Sequence, residues 1–236
     1  MDPPRSPVVR PGLGGLLLDR ALTVAAARAA EPGGLRFTER QLYYETRRVL
    51  SPAVPLRLSA FTRALDARGR ESVPGLLPPA PASAPRPVTV REEREEREGS
   101  SEPDLYDYGV PCVLLCQDRD IAAMLLANHV HLEAACPVLA APDALPLDPR
   151  LLAAMERTPD ATVYVLHDAS PAGVLLPARV RAATGGAAAR VRVSSLGLVP
   201  RHAAALGLPS GRGPAPSAQA VAAWPSGLLP REVAWL

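Results

Sequence analysis

Two consecutive tyrosines, Tyr43 and Tyr44, lie inside the run RQLYYETRR, residues 40–48. In a helix, neighbouring side chains point about 100 degrees apart, so one phenol can be buried while the other faces a groove. Arg40, Arg47 and Arg48 then surround the outward phenol with positive charge. A tyrosine so placed can position a phosphate or, once deprotonated, attack it and form a covalent phosphotyrosine link. The plainer reading, in which both rings only anchor a small core, stands beside it. A second candidate is TVYVLHDASPAG, residues 162–173, an apolar strand that delivers Asp168 to its C-terminal end before a turn and a helix. Open α/β sheets bind their ligands at that end of the strands. His167 beside Asp168 invites an acid–base reading. His129, His131 and Cys136 have spacings reminiscent of metal ligands, but there is no paired C-x-x-C, and Cys112 and Cys116 fall four apart in one predicted strand. No zinc site is expected. Ser194 and Ser195, with His202 and Asp168, lack the G-x-S-x-G elbow, which argues against a hydrolase triad.

The elements that must position these residues are legible from punctuation and periodicity. LLLDRALTVAAARAA, within residues 15–30, has helical spacing and stops at Glu31-Pro32-Gly33-Gly34. Thr38 with Gln41 three residues on forms a capping box, and the helix it opens runs to about Leu50, before Ser51-Pro52. A third helix starts near Ser59, carries Phe61 and Leu65, and ends at Gly69, followed by a short apolar piece over 72–77. Three short helices and such a segment suggest a winged-helix-like domain over 15–77. From about residue 110 the pattern alternates: strand 110–116, helix 118–129, strand 137–141, helix 148–157 with Asp148 as cap, strand 161–166, helix 172–184, strand 190–196. That order predicts an α/β domain over 107–209 with a parallel sheet. Residues 1–14 read as a disordered start, 78–106 as a Pro-rich and acidic linker, and 210–236 as a tail whose Trp224, Val233 and Trp235 are candidates to pack back on the core.

All 26 basic residues are arginine, a composition that a GC-rich genome explains most simply. The net charge of +2 is unevenly spread: residues 1–75 carry +5, residues 76–110 carry −4, and the rest is nearly balanced. A footprint for DNA therefore belongs in the first third, where Arg36, Arg47, Arg48, Arg57 and Arg63 are the candidate contacts. The three cysteines are too few for a secreted disulfide scaffold and read as reduced core residues. Residues 1–11 are proline-rich and charged where a signal peptide needs an apolar stretch, and no run of 18 apolar residues occurs. A cytoplasmic protein with no membrane association is expected.

FTERQLYYETRRVL, residues 37–50, resembles the segment of the topoisomerase VI A subunit and the meiotic double-strand-break transesterases in which an arginine precedes a Tyr-Tyr pair. In that family the second tyrosine is the nucleophile, which implies Tyr44, with Arg40 stabilising charge. TVYVLHDASPAG is similar to the family's Toprim pattern Asp-x-Asp-Pro-x-Gly, matched at Asp168, Pro171 and Gly173. VPCVLLCQDRDIAAML, residues 110–125, resembles the Toprim opening, and LGLVPRHAAALGLP, residues 196–209, the region after the last strands. The matches occur in family order and span about two thirds of the chain. Two ligand positions depart from the pattern: Gln117 stands where the family has glutamate, and Ser170 where it has the second aspartate. Magnesium prefers anionic oxygens, so a site left with Asp168 alone implies weak binding at most.

Two functions follow from the resemblance. A DNA-binding or scaffolding protein has kept the fold and lost the metal chemistry; a DNA-cleaving transesterase still uses Tyr44. The loss of two acidic ligands favours the first. The family's domains act as dimers, which implies a homodimer or a complex with an ATPase B-like subunit on double-stranded DNA. A third function, a small-molecule-binding α/β protein indifferent to DNA, rests on how widely such sheets are reused.

Overall fold

The computed structural model describes residues 13–51, 55–81, 109–185 and 190–206. The expected start, most of the acidic linker and the C-terminal tail with Trp224, Val233 and Trp235 lie outside the described residues. The chain divides into two compact units, Met1–Pro79 and Ala80–Leu236.

The first unit is helical: α1 (Leu13–Ala29), α2 (Glu39–Leu50) and α3 (Leu58–Arg68), then a single 3-10 turn at Arg70–Ser72. The capping box that opens α2 is present in both directions: Gln41 N–H donates to Thr38 Oγ1 at 3.2 Å, and Thr38 N–H donates to Gln41 Oε1 at 2.8 Å. Both atoms of the reciprocal pair satisfy backbone donors that the first helical turn leaves without intrahelical partners. Leu22 and Ala25 of α1, Leu42 of α2, Phe61 and Leu65 of α3, and Phe37 and Val73 from the connections form one core. Arg68 ties α3 to α1 through Asp19 Oδ1 at 2.9 Å, and Arg70 ties the following turn to Glu39 and Asp66. The apolar piece over 72–77 does not form the hairpin of a wing among the described residues. It makes one parallel bridge, Phe37 to Leu76, flanked by Phe37 N–H to Gly75 O and Leu77 N–H to Phe37 O, both 2.9 Å. The expected helical front region is present, and among the described residues the 72–77 segment pairs with Phe37 alone.

The second unit is an α/β layer structure. Its strands are β1 (Cys112–Cys116), β2 (Val138–Ala140), β3 (Thr162–Leu166) and β4 (Arg192–Ser195), all parallel, in the order β2-β1-β3-β4. Between them lie α4 (Arg119–Ala127), α5 (Val130–Glu133), α6 (Ala141–Ala144), α7 (Pro149–Glu156) and α8 (Pro171–Thr184), and after them α9 (Pro200–Ala205). Alternation along β1 sends Val113 and Leu115 to one face and Leu114 and Cys116 to the other. Leu151 and Met155 of α7 and Leu176 and Val180 of α8 cover the first face, with Val163 and Val165 of β3; Ala122, Ile121 and Leu125 of α4 cover the second. One face is therefore sealed by the helices that lead toward β3 and β4, and the other by the helix that leads toward β2. Strands covered on both sides read in sequence as the near-continuous apolar runs CVLLC and TVYVL.

Two short helices, α6 and α9, fall where no helix was expected, and the helix predicted over 118–129 ends at Ala127, with α5 following after His129, which takes a left-handed φ of 60°. No helix among the described residues is long and apolar enough to cross a membrane.

Candidate functional site

On α2 the two tyrosines separate as their angular offset requires. Tyr43 turns inward: its ring meets Phe61 edge-on at 5.3 Å between centroids, and its hydroxyl donates to the Leu56 carbonyl at 3.1 Å. Tyr44 turns outward and is 46% exposed. Leu42 and Thr46 are fully buried, while Arg40, Arg47 and Arg48 are exposed. Positions 40, 44 and 47 are spaced by about one and two helical turns, so they form one outward stripe. Arg47 lies over the Tyr43 ring at 5.8 Å, which lends the buried phenol's face to a cation at the surface. Arg48 pairs with Glu45. The Tyr43–Leu56 bond brings the start of α3 against α2, and exposed Arg57 follows directly. Arg63 is exposed on α3, its Nε donating to the Ser59 carbonyl at 3.2 Å. Arg36 is exposed just before α2.

In the second unit the decisive feature is topological. From β1 the chain moves to one side, to β2; from β3 it moves to the other, to β4. Helices leaving β1 and β3 depart from opposite faces and open a crevice between those strand ends, where doubly wound sheets bind ligands. Gln117 follows β1 directly, and Asp168 and Ser170 follow β3. The structure brings all three together. Asp168 N–H donates to Gln117 Oε1 at 2.9 Å, which fixes the amide orientation because only the oxygen can accept. Gln117 Nε2 donates to Ser170 Oγ at 3.4 Å. Ser170 Oγ donates to Asp168 Oδ1 at 2.5 Å and accepts from Gly173 N–H at 3.2 Å, so it is the N-cap of α8. Ser170 N–H also reaches Asp168 Oδ1, at 3.0 Å. Gly173 is part of the same construction: a Cβ there would overlap the Asp168 carbonyl and carboxylate oxygens and Gln117 Oε1.

This donor set does not fit magnesium. It has one carboxylate, one of whose oxygens already accepts two hydrogen bonds, and a serine hydroxyl whose donor and acceptor sites are all engaged within the cluster. Asp118 and Asp120 do not supply the missing charge at that point. Asp118 caps α4, accepting from Asp120 N–H at 2.7 Å and Ile121 N–H at 3.3 Å, and Asp120 Oδ1 accepts from Ala80 N–H at 2.8 Å. With Gln117, Arg119 and Pro142 these groups line an open depression of about 290 Å³.

His167 does more than fill space. Its ring is buried, stacked so closely on Gly197 that a Cβ there would overlap it. Nδ1 lies 2.8 Å from the Asp168 carbonyl and Nε2 lies 2.8 Å from Ser195 Oγ. Ser195 thus meets His167, from the neighbouring strand, and not the His202 considered from sequence.

The remaining candidates stay apart. The His129 and His131 rings are 6.3 Å apart, and His131 Nδ1 is buried without a hydrogen-bond partner. No group of three or more His, Cys, Asp or Glu suited to a metal occurs among the described residues. The cysteines are free thiols. Burial pushes Cys116 up to about 11, and burial with the neighbouring Cys112 thiol pushes Cys136 up to about 12, so neither is a ready thiolate.

Comparison with family models, curated proteins and solved structures finds no significant match to this chain.

Proposed function

We propose that the chain binds double-stranded DNA through the helical unit and acts as a DNA-binding or complex-organising protein, as its resemblance to the topoisomerase VI A subunit suggests. The observation that carries this reading is the outward stripe Arg40–Tyr44–Arg47 on α2 beside a partner tyrosine held in the core. Arginine holds phosphate bidentately, and an exposed phenol adds a donor and a flat ring for the sugar–phosphate edge. Arg36, Arg48, Arg57 and Arg63 extend the positive surface. The rear unit supports a scaffold better than a metal enzyme, because Gln117 and Ser170 consume the strand-end polarity in hydrogen bonds to Asp168. A homodimer or an ATPase B-like partner, and a cytoplasmic setting for the free thiols, belong to the same reading.

Tyr44 is also placed as a nucleophile must be, exposed and flanked by arginines, and this favours the cleaving transesterase as the second reading. One experiment separates the readings. Fluorescence anisotropy of the full chain with a labelled duplex should show affinity that falls steeply with salt, by about 0.9 in log–log slope per phosphate contact. Arg40→Ala with Arg47→Ala should reduce both affinity and slope. Binding that ignores salt and these arginines would leave the small-molecule reading standing instead. A covalent protein–DNA adduct lost in Tyr44→Phe and kept in Tyr43→Phe would select cleavage over scaffolding.

A further inference from the structure

The His167 contacts select one tautomer of the neutral ring. A carbonyl oxygen only accepts, so the Nδ1 that lies 2.8 Å from the Asp168 carbonyl carries the hydrogen. In the neutral imidazole this leaves the lone pair on Nε2, and the partner 2.8 Å away, Ser195 Oγ, must donate its proton there. Gly197 N–H approaches the same Oγ at 3.4 Å, on the lone-pair side. A serine whose hydroxyl points into a base, with that base oriented by a third group, is the arrangement that activates a nucleophile. It is built from the ends of two adjacent strands, β3 and β4, at the carboxyl edge of the parallel sheet. The serine is exposed and the base beside it is buried.

We infer that Ser195 and His167 form a nucleophilic dyad able to accept an acyl group from a neutral carboxylic ester. Ser195 Oγ attacks the ester carbonyl carbon and its proton passes to Nε2; the carbon–oxygen bond to the leaving group breaks, and the departing alkoxide takes that proton. Water then attacks the acyl-serine, giving a proton to Nε2, and the carbon–Oγ bond breaks as the proton returns to Oγ. The products are an alcohol and a carboxylic acid. The orienting group is a main-chain carbonyl and carries no full charge, so it stabilises the imidazolium less than a carboxylate would. Slow turnover with ready covalent capture is the consequence. This site lies wholly in the second unit and does not depend on DNA binding.

The test uses the full chain, a fluorophosphonate probe and peptide mass spectrometry. The probe should label Ser195, the label should vanish in Ser195→Ala and persist in Ser194→Ala, and His167→Gln should slow labelling by about 100-fold. Thermal melts accompany each variant. Because Ser195 is exposed, Ser195→Ala leaves the core intact, and its hydrolysis of p-nitrophenyl acetate is compared with that of the unaltered chain whether or not His167→Gln folds. An unlabelled Ser195, a labelling rate unchanged in a folded His167→Gln, or equal ester hydrolysis with and without the Ser195 hydroxyl overturns the dyad.

Discussion

Tyr43 and Tyr44 are identical residues with different work, and substitution should expose the difference. Removing the Tyr43 hydroxyl deletes a partly buried bond to the Leu56 carbonyl, so Tyr43→Phe should lower unfolding free energy by about 1 kcal/mol. Tyr44→Phe touches a hydroxyl on an exposed ring and should stay within about 0.5 kcal/mol of the parent. Urea melts of the two variants check this; equal losses would mean Tyr44 is also part of the core. At the other end of the chain, Gly197 is held to its identity by the ring above it. Gly197→Ala must push His167 aside, so it should both lower the melting temperature and reduce labelling of Ser195. Retention of both would show that the ring has room to move.

Among the elements, α2 depends on its reciprocal cap. Thr38→Ala leaves the Gln41 N–H without its partner and should cost about 1 kcal/mol, read as a shift in the thermal or denaturant midpoint. The link between α4 and α6 is electrostatic: Arg119 grips both carboxylate oxygens of Asp143 at 2.7 to 2.9 Å. That hydrogen-bonded guanidinium holds Asp143 below the usual carboxylate range. A lowered folded-state value stabilises the fold above the unfolded pKa, and the contribution disappears as pH falls through the lowered one. Asp143→Asn should therefore reduce the melting temperature slightly at neutral pH, with the gap to the parent closing in acid. A gap that persists at low pH would point to packing instead of charge. Both groups face solvent, and screening keeps the effect small.

Across the whole molecule, the two proposed activities fall in different units. The surplus of positive charge lies in residues 1–75, whereas the strand-end clusters of Gln117 with Asp168 and of His167 with Ser195 lie in the second unit. Substituting Arg40 and Arg47 should weaken duplex binding and leave Ser195 labelling unchanged; Ser195→Ala should do the reverse. Measuring both readouts on both variants tests whether the two activities are separable, and a loss of labelling in the arginine variant would refute that separation.

Much of this protein was written in local pattern. The Thr38 cap, the outward turn of Tyr44 and the strand at Thr162–Leu166 follow from nearest-neighbour geometry, capping chemistry and apolar runs, which act within a few residues of sequence. Ser170 was read only by its place in a metal pattern and the helix was expected from residue 172, whereas Ser170 is the N-cap of α8 and Pro171 its first residue, a local helix-start pattern that could have been read. Pro177 lies buried inside α8, and the helix expected over 172–184 runs through it. The strand order was beyond local reach. Only pairing of β1 with β3 brings Gln117 onto Asp168, 51 residues away, and only pairing of β3 with β4 sets Ser195 against His167 across 28. Hydrogen bonds between distant segments depend on which strands become neighbours, and burial of the whole apolar sheet between its helices makes that choice.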